Sequence, residues 1–550
     1  MKKFLFVSLI ALMTLSMYAC SDTETKDDAG ASDAITDIVS QDASTSDAYV
    51  PESRPPTTVK RTLKSEIPIE PQDKALADKF GKYSMNGEGE THILREDLGA
   101  TKGSSKEKSF FYMAHLSDLH IIDFQSPNRM VQYDGPSIPS AYRPFEGYSP
   151  RILTEFMNTL NDFNYFRKFD IVILTGDGVD NTQYNEFKWL ITILTGGEVN
   201  PNSGGYKTLV DGPDNEVCDP LVSNGASFPW IYVMGNHDQL IEGNFPAVDR
   251  SLPPDEQETK IKEGNYYKKA VGDQSDAVIG CKYPVDVANA RPGKVNPNED
   301  RRPLTHRQAL NMFYTAPKNP SGHGFTQENI DNDTGNYTYT PNADIPLRFI
   351  VMDTGSPTGL DNGYISSKLF DGFLKAELDK AVEDKVLVVV SSHHPTWSID
   401  SKSEKSGEDL IALLTQYPNV ILHLVGHGHE HRVVPHKSND SDPTKGYYEV
   451  ESTSTLDFPQ QGNIYEFTYA GDNTIAIYKT VFDHNSKEGS LPYIARGIAI
   501  SDIQDGSNPD NGMGEKTDRN VILIKQVPSD IASKLEKLPD KELETSNFSK

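Results

Sequence analysis

Six short apolar runs, each cut off by polar residues, constrain the fold of this chain more than any other feature. Phe110-Phe111-Tyr112-Met113-Ala114-His115-Leu116 stops at Ser117-Asp118, and Asp170-Ile171-Val172-Ile173-Leu174-Thr175 stops at Gly176-Asp177. Runs at 228–234, 347–352, 386–390 and 420–425 follow. Three of these end in Gly235-Asn236-His237-Asp238, Ser391-Ser392-His393-His394-Pro395 and Gly426-His427-Gly428-His429. Short runs without polar alternation read as strands covered on both faces. Between the first two, Ile152, Phe156, Leu160 and Phe163 recur at helical spacing. Five of the six strands therefore carry metal-competent side chains at their C-terminal ends, where ligands gather in α/β sheets. Three more strands are expected at 447–451, 464–468 and 474–482.

Taken singly, most of these endings are weak signals. Asp118-Leu119-His120 is the kind of triplet that arises by chance about once in a chain this long. Gly176-Asp177-Gly178-Val179-Asp180 and Gly235-Asn236-His237-Asp238 also read as turns. Gly426-His427-Gly428-His429 is more specific, because two imidazoles separated by one glycine at a strand end are poor packing residues.

Jointly, the order Asp-x-His, Gly-Asp-x-x-Asp, Gly-Asn-His-Asp, His, Gly-His-x-His resembles the signature of the calcineurin-like metallophosphoesterase superfamily over residues 108–482, the insertion at about 239–345 excepted. The resemblance implies an α/β fold, a four-layer α/β/β/α sandwich. It implies one metal on Asp118, His120, Asp177 and His429, and another on Asp177, Asn236, His393 and His427. These oxygen and nitrogen donors suit Mn, Fe or Zn. The resemblance implies that two such ions would share a hydroxide as the nucleophile toward phosphorus. In the family His237 lies beside the scissile phosphate, as general acid or charge stabiliser, and Asp238 is expected to orient it; a cap for the following segment is the other reading of Asp238. His393 is the ligand of its pair, with His394 behind it or on the substrate side. His115, His423 and His431 read as satisfied core or rim histidines.

Purple acid phosphatases carry a tyrosine where this chain has Asp180, so a purple ferric site is not expected. About 120 residues follow His431, too few for the large substrate domain of the 5′-nucleotidases. The expected substrate is a small-molecule phosphomonoester or phosphodiester. The competing reading is a non-catalytic surface lipoprotein that binds a partner through a metal-stabilised fold.

The net charge of −27 argues against a nucleic-acid partner. Lys2-Lys3, the apolar run 4–15 and Ala19-Cys20 form an export signal at 1–19. It resembles the bacterial lipobox, with Cys20 lipidated as the sole membrane attachment; simple cleavage nearby is the alternative. Either way the protein reaches the periplasm or cell surface. Residues 20–60 are expected to be a disordered tether, 61–107 carry no assignable pattern, and the polar stretch 483–550 is expected to be peripheral. The stretch at about 239–345 is rich in Pro, Gly, Asn and Asp and reads as an elaborated insertion without long periodic runs. Cys218 and Cys281 can form one disulfide outside the cytoplasm. No motif sets an oligomeric state.

Overall fold

The apolar runs become strands because each is covered on both faces, and their directions bring the polar endings together. The computed structural model describes residues 50–71, 79–205, 211–212, 215–272, 294–439, 442–508 and 511–549. The strands of its two large sheets are, in chain order, β1 (Ile93–Arg95), β2 (Lys108–Leu116), β3 (Ile171–Leu174), β4 (Trp230–Tyr232), β5 (Tyr337–Tyr339), β6 (Leu347–Val351), β7 (Leu387–Ser391), β8 (Val420–Val425), β9 (Arg432–His436), β10 (Tyr447–Glu451), β11 (Gln461–Gly471), β12 (Thr474–Asp483) and β13 (Val521–Gln526). One sheet has the order β1-β13-β12-β11-β2-β3-β4, the other β9-β10-β8-β7-β6-β5.

Parallel pairing aims the motifs. β2, β3 and β4 run parallel, as do β6, β7, β8 and β10. Ser117, just past β2, bridges Ser454, just past β10. That bridge stitches the C-terminal edges of the two sheets together.

Side-chain alternation builds the layers. Phe349, Val351, Val389, Leu422 and Leu424 point into the main core, where the Phe349 and Phe111 rings lie 6.2 Å apart between the sheets. Ile350, Val388 and Val390 point outward onto Leu378, Leu410 and Leu414, which belong to the helices Lys375–Asp384 and Gly407–Leu414. On the other sheet, Phe156 and Phe163 meet Phe482 of β12 edge-on at 6.0 and 5.5 Å. They come from the helix Ser149–Phe166, which starts with Pro150 in its first turn, where the missing N–H costs nothing. The architecture is the expected α/β/β/α sandwich.

Three expectations need correction. The C-terminal stretch is not peripheral: β13 pairs with both β12 and β1, and Ala495, Ala499, Ile500 and Ile503 of the helix Leu491–Gln504 enter the main core. The apolar run at 521–524 is only four residues long and lies in polar surroundings, so composition hid it. Residues 57–60, expected to belong to the tether, join the fold instead: Thr57 bridges Phe482, and Thr58 donates its amide to the Val481 carbonyl at 3.0 Å. The insertion is more regular than its Pro/Gly content suggested, with four helices, Pro254–Lys260, Asn265–Val271, His306–Tyr314 and Gln327–Asn332, among its described residues. Thr305 and Gln308 close a capping box on the third of these. Cys218 is buried and disulfide-bonded; Cys281, like Cys20 and the export signal, lies outside the described residues.

Candidate metal centre

The motif loops interlock before their side chains meet. The Asp118 amide donates to the Gly176 carbonyl at 3.0 Å and the His120 amide to the Asp177 carbonyl at 2.8 Å. The His427 amide donates to the Asp118 carboxylate at 3.1 Å, and the His237 amide to Asp177 Oδ1 at 2.9 Å. Asp118, His120, Asp177, His427 and His429 all adopt left-handed backbone, with φ of 52°, 41°, 50°, 73° and 53°. Such a conformation costs a non-glycine residue roughly 1–3 kcal/mol and persists where surrounding structure enforces it. Two motif glycines permit the approach. A Cβ at Gly235 would strike Asp177 Oδ1, and one at Gly426 would strike Ser117 Oγ and reach 2.5 Å from Asp118 Oδ2.

The side chains then converge. Asp118, His120 and His429 bring ligand atoms together, as do Asp118, Asp177 and His393, all within 4.8 Å of one another in each group. His393, His394 and His427 form a third such group and His120, Asp177 and His237 a fourth. Asp177 stands in two of the four, between the Asp118 side and the His237 side. His120 Nε2 and His429 Nε2 are 3.2 Å apart, and His429 Nε2 lies 3.1 Å from Asp118 Oδ1. On the other side, His393 Nε2 lies 3.0 Å from Asp177 Oδ2.

Outer contacts decide which ring nitrogen each histidine offers. His120 Nδ1 donates to Asp180 at 2.9 Å, and His429 Nδ1 to Asp457 at 2.8 Å. His393 Nδ1 lies 2.7 Å from the Thr175 carbonyl, which can only accept. Each Nε2 is left facing the cluster, the arrangement by which carboxylates and carbonyls orient metal-binding imidazoles. The Asn236 Nδ2 donates to the Gly243 carbonyl at 3.1 Å. That fixes its amide and leaves Oδ1 buried without a hydrogen-bond partner.

Not every expected residue does what its motif suggested. The Asp238 carboxylate does not hold His237. It accepts from the amides of Asp177, Gly178, Val179 and Gly235 and from the Tyr232 hydroxyl, so it shapes the loop that presents Asp177. His237 is held by Asp180 instead, through the Asp180 carbonyl at 3.0 Å and carboxylate at 3.3 Å. His394 spends both ring nitrogens, on Thr354 Oγ1 at 2.8 Å and the Asp361 carbonyl at 2.9 Å. Thr354 follows β6, the one strand of the six whose ending supplies no prospective ligand, so that strand braces the site from behind. His115, His423 and His431 are buried, with partners in Thr175, Ser392 and Gln461.

Sequence reasoning missed two buried arginines. Arg129 bonds Glu146, Asp180 and Glu242, and Arg143 bonds Asp457 at 2.7 Å. Both come from the irregular segment between β2 and the Ser149–Phe166 helix, where no periodicity singles out a residue. Asp457 was findable. It closes the polar run after β10, at a strand end like the others.

The electrostatics are those of a site short of positive charge. Burial disfavours charged imidazoles, yet the Asp177 carboxylate outweighs it and raises His393 to about 9. Asp118 and Asp457 likewise raise His429 to about 10. Burial also works against charge on Asp177, but the surrounding histidines hold its carboxyl well below the usual range. The centre thus favours added cations. Ligands about 2.0–2.1 Å from a shared tetrahedral zinc-like ion stand roughly 3.0–3.4 Å from one another, the spacing found from His429 Nε2 to Asp118 Oδ1 and to His120 Nε2. The orphaned Asn236 Oδ1 and the imidazole and carboxylate donor set also fit such ions.

A two-sheet sandwich with clustered Asp and His donors at its strand ends is the frame of a metallohydrolase. The chain belongs to the calcineurin-like phosphoesterase family, whose model matches residues 111–432, more than half of its 550 residues. Among solved structures it is similar to a dimetal phosphatase from Danio rerio, at 11% identity and a TM-score of 0.34, covering 68% of this chain and 100% of that one. It is also similar to GAP50, the anchor in the inner membrane complex of Plasmodium, at 13% identity and a TM-score of 0.27, covering 74% and 97%. No curated protein matches the chain.

Proposed function

We propose that the protein is a dinuclear metal-dependent hydrolase of small phosphomonoesters or phosphodiesters. The observation that carries this reading is the set of Nε2 atoms and carboxylates converging at the sheet edge, with His237 beside them. Asp118, His120, Asp177 and His429 would hold one ion, and Asp177, Asn236, His393 and His427 the other, with Asp177 shared. Two such ions would supply a hydroxide nucleophile at neutral pH and would offset charge on the attacking and leaving oxygens.

The protein's own groups do the rest. With Nδ1 tied to Asp180, His237 offers Nε2 to the substrate. Burial opposes its charged form, but Asp177 and Asp180 raise it to about 9. Asp180, bonded to the same ring, favours its protonated form alongside Asp177. As the phosphorus–oxygen bond to the leaving alcohol breaks, Nε2 delivers its proton to the departing oxygen. Such acid catalysis contributes about 10²–10⁴-fold. Gly243 keeps that side open: a Cβ there would strike His237 Nε2 and come 2.5 Å from the Asn236 amide nitrogen.

The test is hydrolysis of p-nitrophenyl phosphate and bis-p-nitrophenyl phosphate by protein loaded with Mn, Fe or Zn. The reading expects turnover of at least one ester, and a His237→Ala variant that keeps its metals while slowing about 10²–10⁴-fold. Two bound ions with no turnover of either ester would favour the partner-binding reading. Export with lipidation at Cys20 is part of the proposal, supported by the Lys2-Lys3, 4–15 and Ala19-Cys20 pattern. Membrane fractionation of a Cys20→Ser variant tests it, since the anchored protein should become soluble.

A further inference from the structure

One large aromatic side chain stands in the open beside this centre. The chain has three tryptophans; Trp189 and Trp230 are buried, whereas Trp397 is 54% exposed. Exposed indole forgoes the burial that normally accounts for an aromatic residue's stabilising effect, so its placement calls for a physical reason. Trp397 lies two residues past Pro395, and its ring centroid is 6.1 Å from that of His427.

The indole is also held still. Its Nε1 donates to Glu451 Oε2 at 3.2 Å. The Arg432 guanidinium lies over the ring, 5.2 Å from its centroid, and is itself anchored by Glu430 at 2.6 Å. The ring edge rests on Gly428 of the Gly-His-x-His motif, where a Cβ would come 3.0 Å from Trp397 Cζ2. Leu360, in the loop whose Asp361 carbonyl binds His394, is a second exposed apolar residue. It is 39% exposed and kept in left-handed backbone at φ 76°. Its amide donates to the Asn244 carbonyl at 2.9 Å.

A rigid, exposed aromatic face next to a polar reaction centre suits a flat π-system, which stacks without regard to hydrogen-bond pattern. We propose that Trp397 is a substrate-contacting residue that stacks the flat aromatic group of the ester, aryl or nucleobase, while phosphorus sits at the metal centre. This selects aromatic phosphoesters over aliphatic ones. It rests on the phosphoesterase reading and adds the substrate class.

The experiment compares full-length Mn-loaded protein with Trp397→Ala and Trp397→Phe on p-nitrophenyl phosphate, AMP and glycerol 2-phosphate. The readout is the ratio of kcat/KM for each aromatic ester to that for glycerol 2-phosphate. Trp397→Ala should lower this ratio about tenfold, mainly through KM, and Trp397→Phe should restore most of it. A fall confined to p-nitrophenyl phosphate identifies an aryl occupant, and one confined to AMP a nucleobase. An unchanged ratio for both overturns the proposal. Equilibrium binding separates this result from failure of the phosphoesterase reading. Because Trp397 is the exposed tryptophan, p-nitrophenol or adenosine should quench native fluorescence saturably, and Trp397→Phe should abolish that component. Should no ester turn over, saturable quenching still supports stacking, and its absence with both probes overturns it.

Discussion

Asp180 accepts a hydrogen bond from His120, lies against His237 and is bonded in turn by the buried Arg129. A single carboxylate therefore orients one prospective ligand and one prospective proton donor. Replacing it with asparagine preserves shape while removing the charge that both imidazoles lean on. Asp180→Asn should weaken metal affinity or activity about 10–100-fold, the usual cost of losing such a partner, while the circular dichroism spectrum stays native. Metal titration and kinetics on the same preparation check it. In the sequence Asp180 was legible only as the position where a tyrosine would make the site purple. Its contacts come from Arg129 and from a turn of His237, and neither follows from local spacing. The ligands themselves were readable because each closes an apolar run, a pattern that needs no tertiary information.

Elements of the insertion fasten to the sandwich through His306 at the start of the helix His306–Tyr314. Its ring lies between Asp333 and Asp353, at 2.8 Å from each. Burial opposes a charged ring here, but Asp353 and Asp333 outweigh it and raise His306 to about 9. A histidine raised above its unfolded value of about 6.5 stabilises fully below that pH and loses the contribution as pH climbs toward 9. Wild-type Tm should therefore fall between pH 6.5 and 9 by more than that of His306→Gln, a difference worth about 1–3 kcal/mol. Parallel melting curves across that range measure it, and equal slopes would remove His306 as the fastening group. Sequence composition marked this region only as a Pro- and Gly-rich interruption. The helices were hidden because they are short, the described ones running from six to nine residues, too few for a clear apolar period.

At the scale of the whole molecule, the sheet that carries Asp118 and Asp177 is closed by segments remote in sequence. β13 fills the gap between β12 and β1, and the Glu544 and Thr545 amides donate to the buried Glu466 of β11 at 3.0 and 2.8 Å. A chain truncated after residue 485 should lose cooperative unfolding or fail to fold, although all seven prospective ligands remain; solubility and thermal melting decide this. The strand-end motifs revealed the architecture and the centre, while the closing strand stayed invisible because only its two neighbours in the sheet define it. The central claim is that seven side chains from five loops hold two ions through a shared Asp177. Metal content per chain, measured by mass spectrometry on wild-type and Asp177→Ala proteins after Mn loading and desalting, tests it most directly. The account predicts two ions in wild type and fewer than one in the variant. One ion in wild type, or two retained without Asp177, would contradict it.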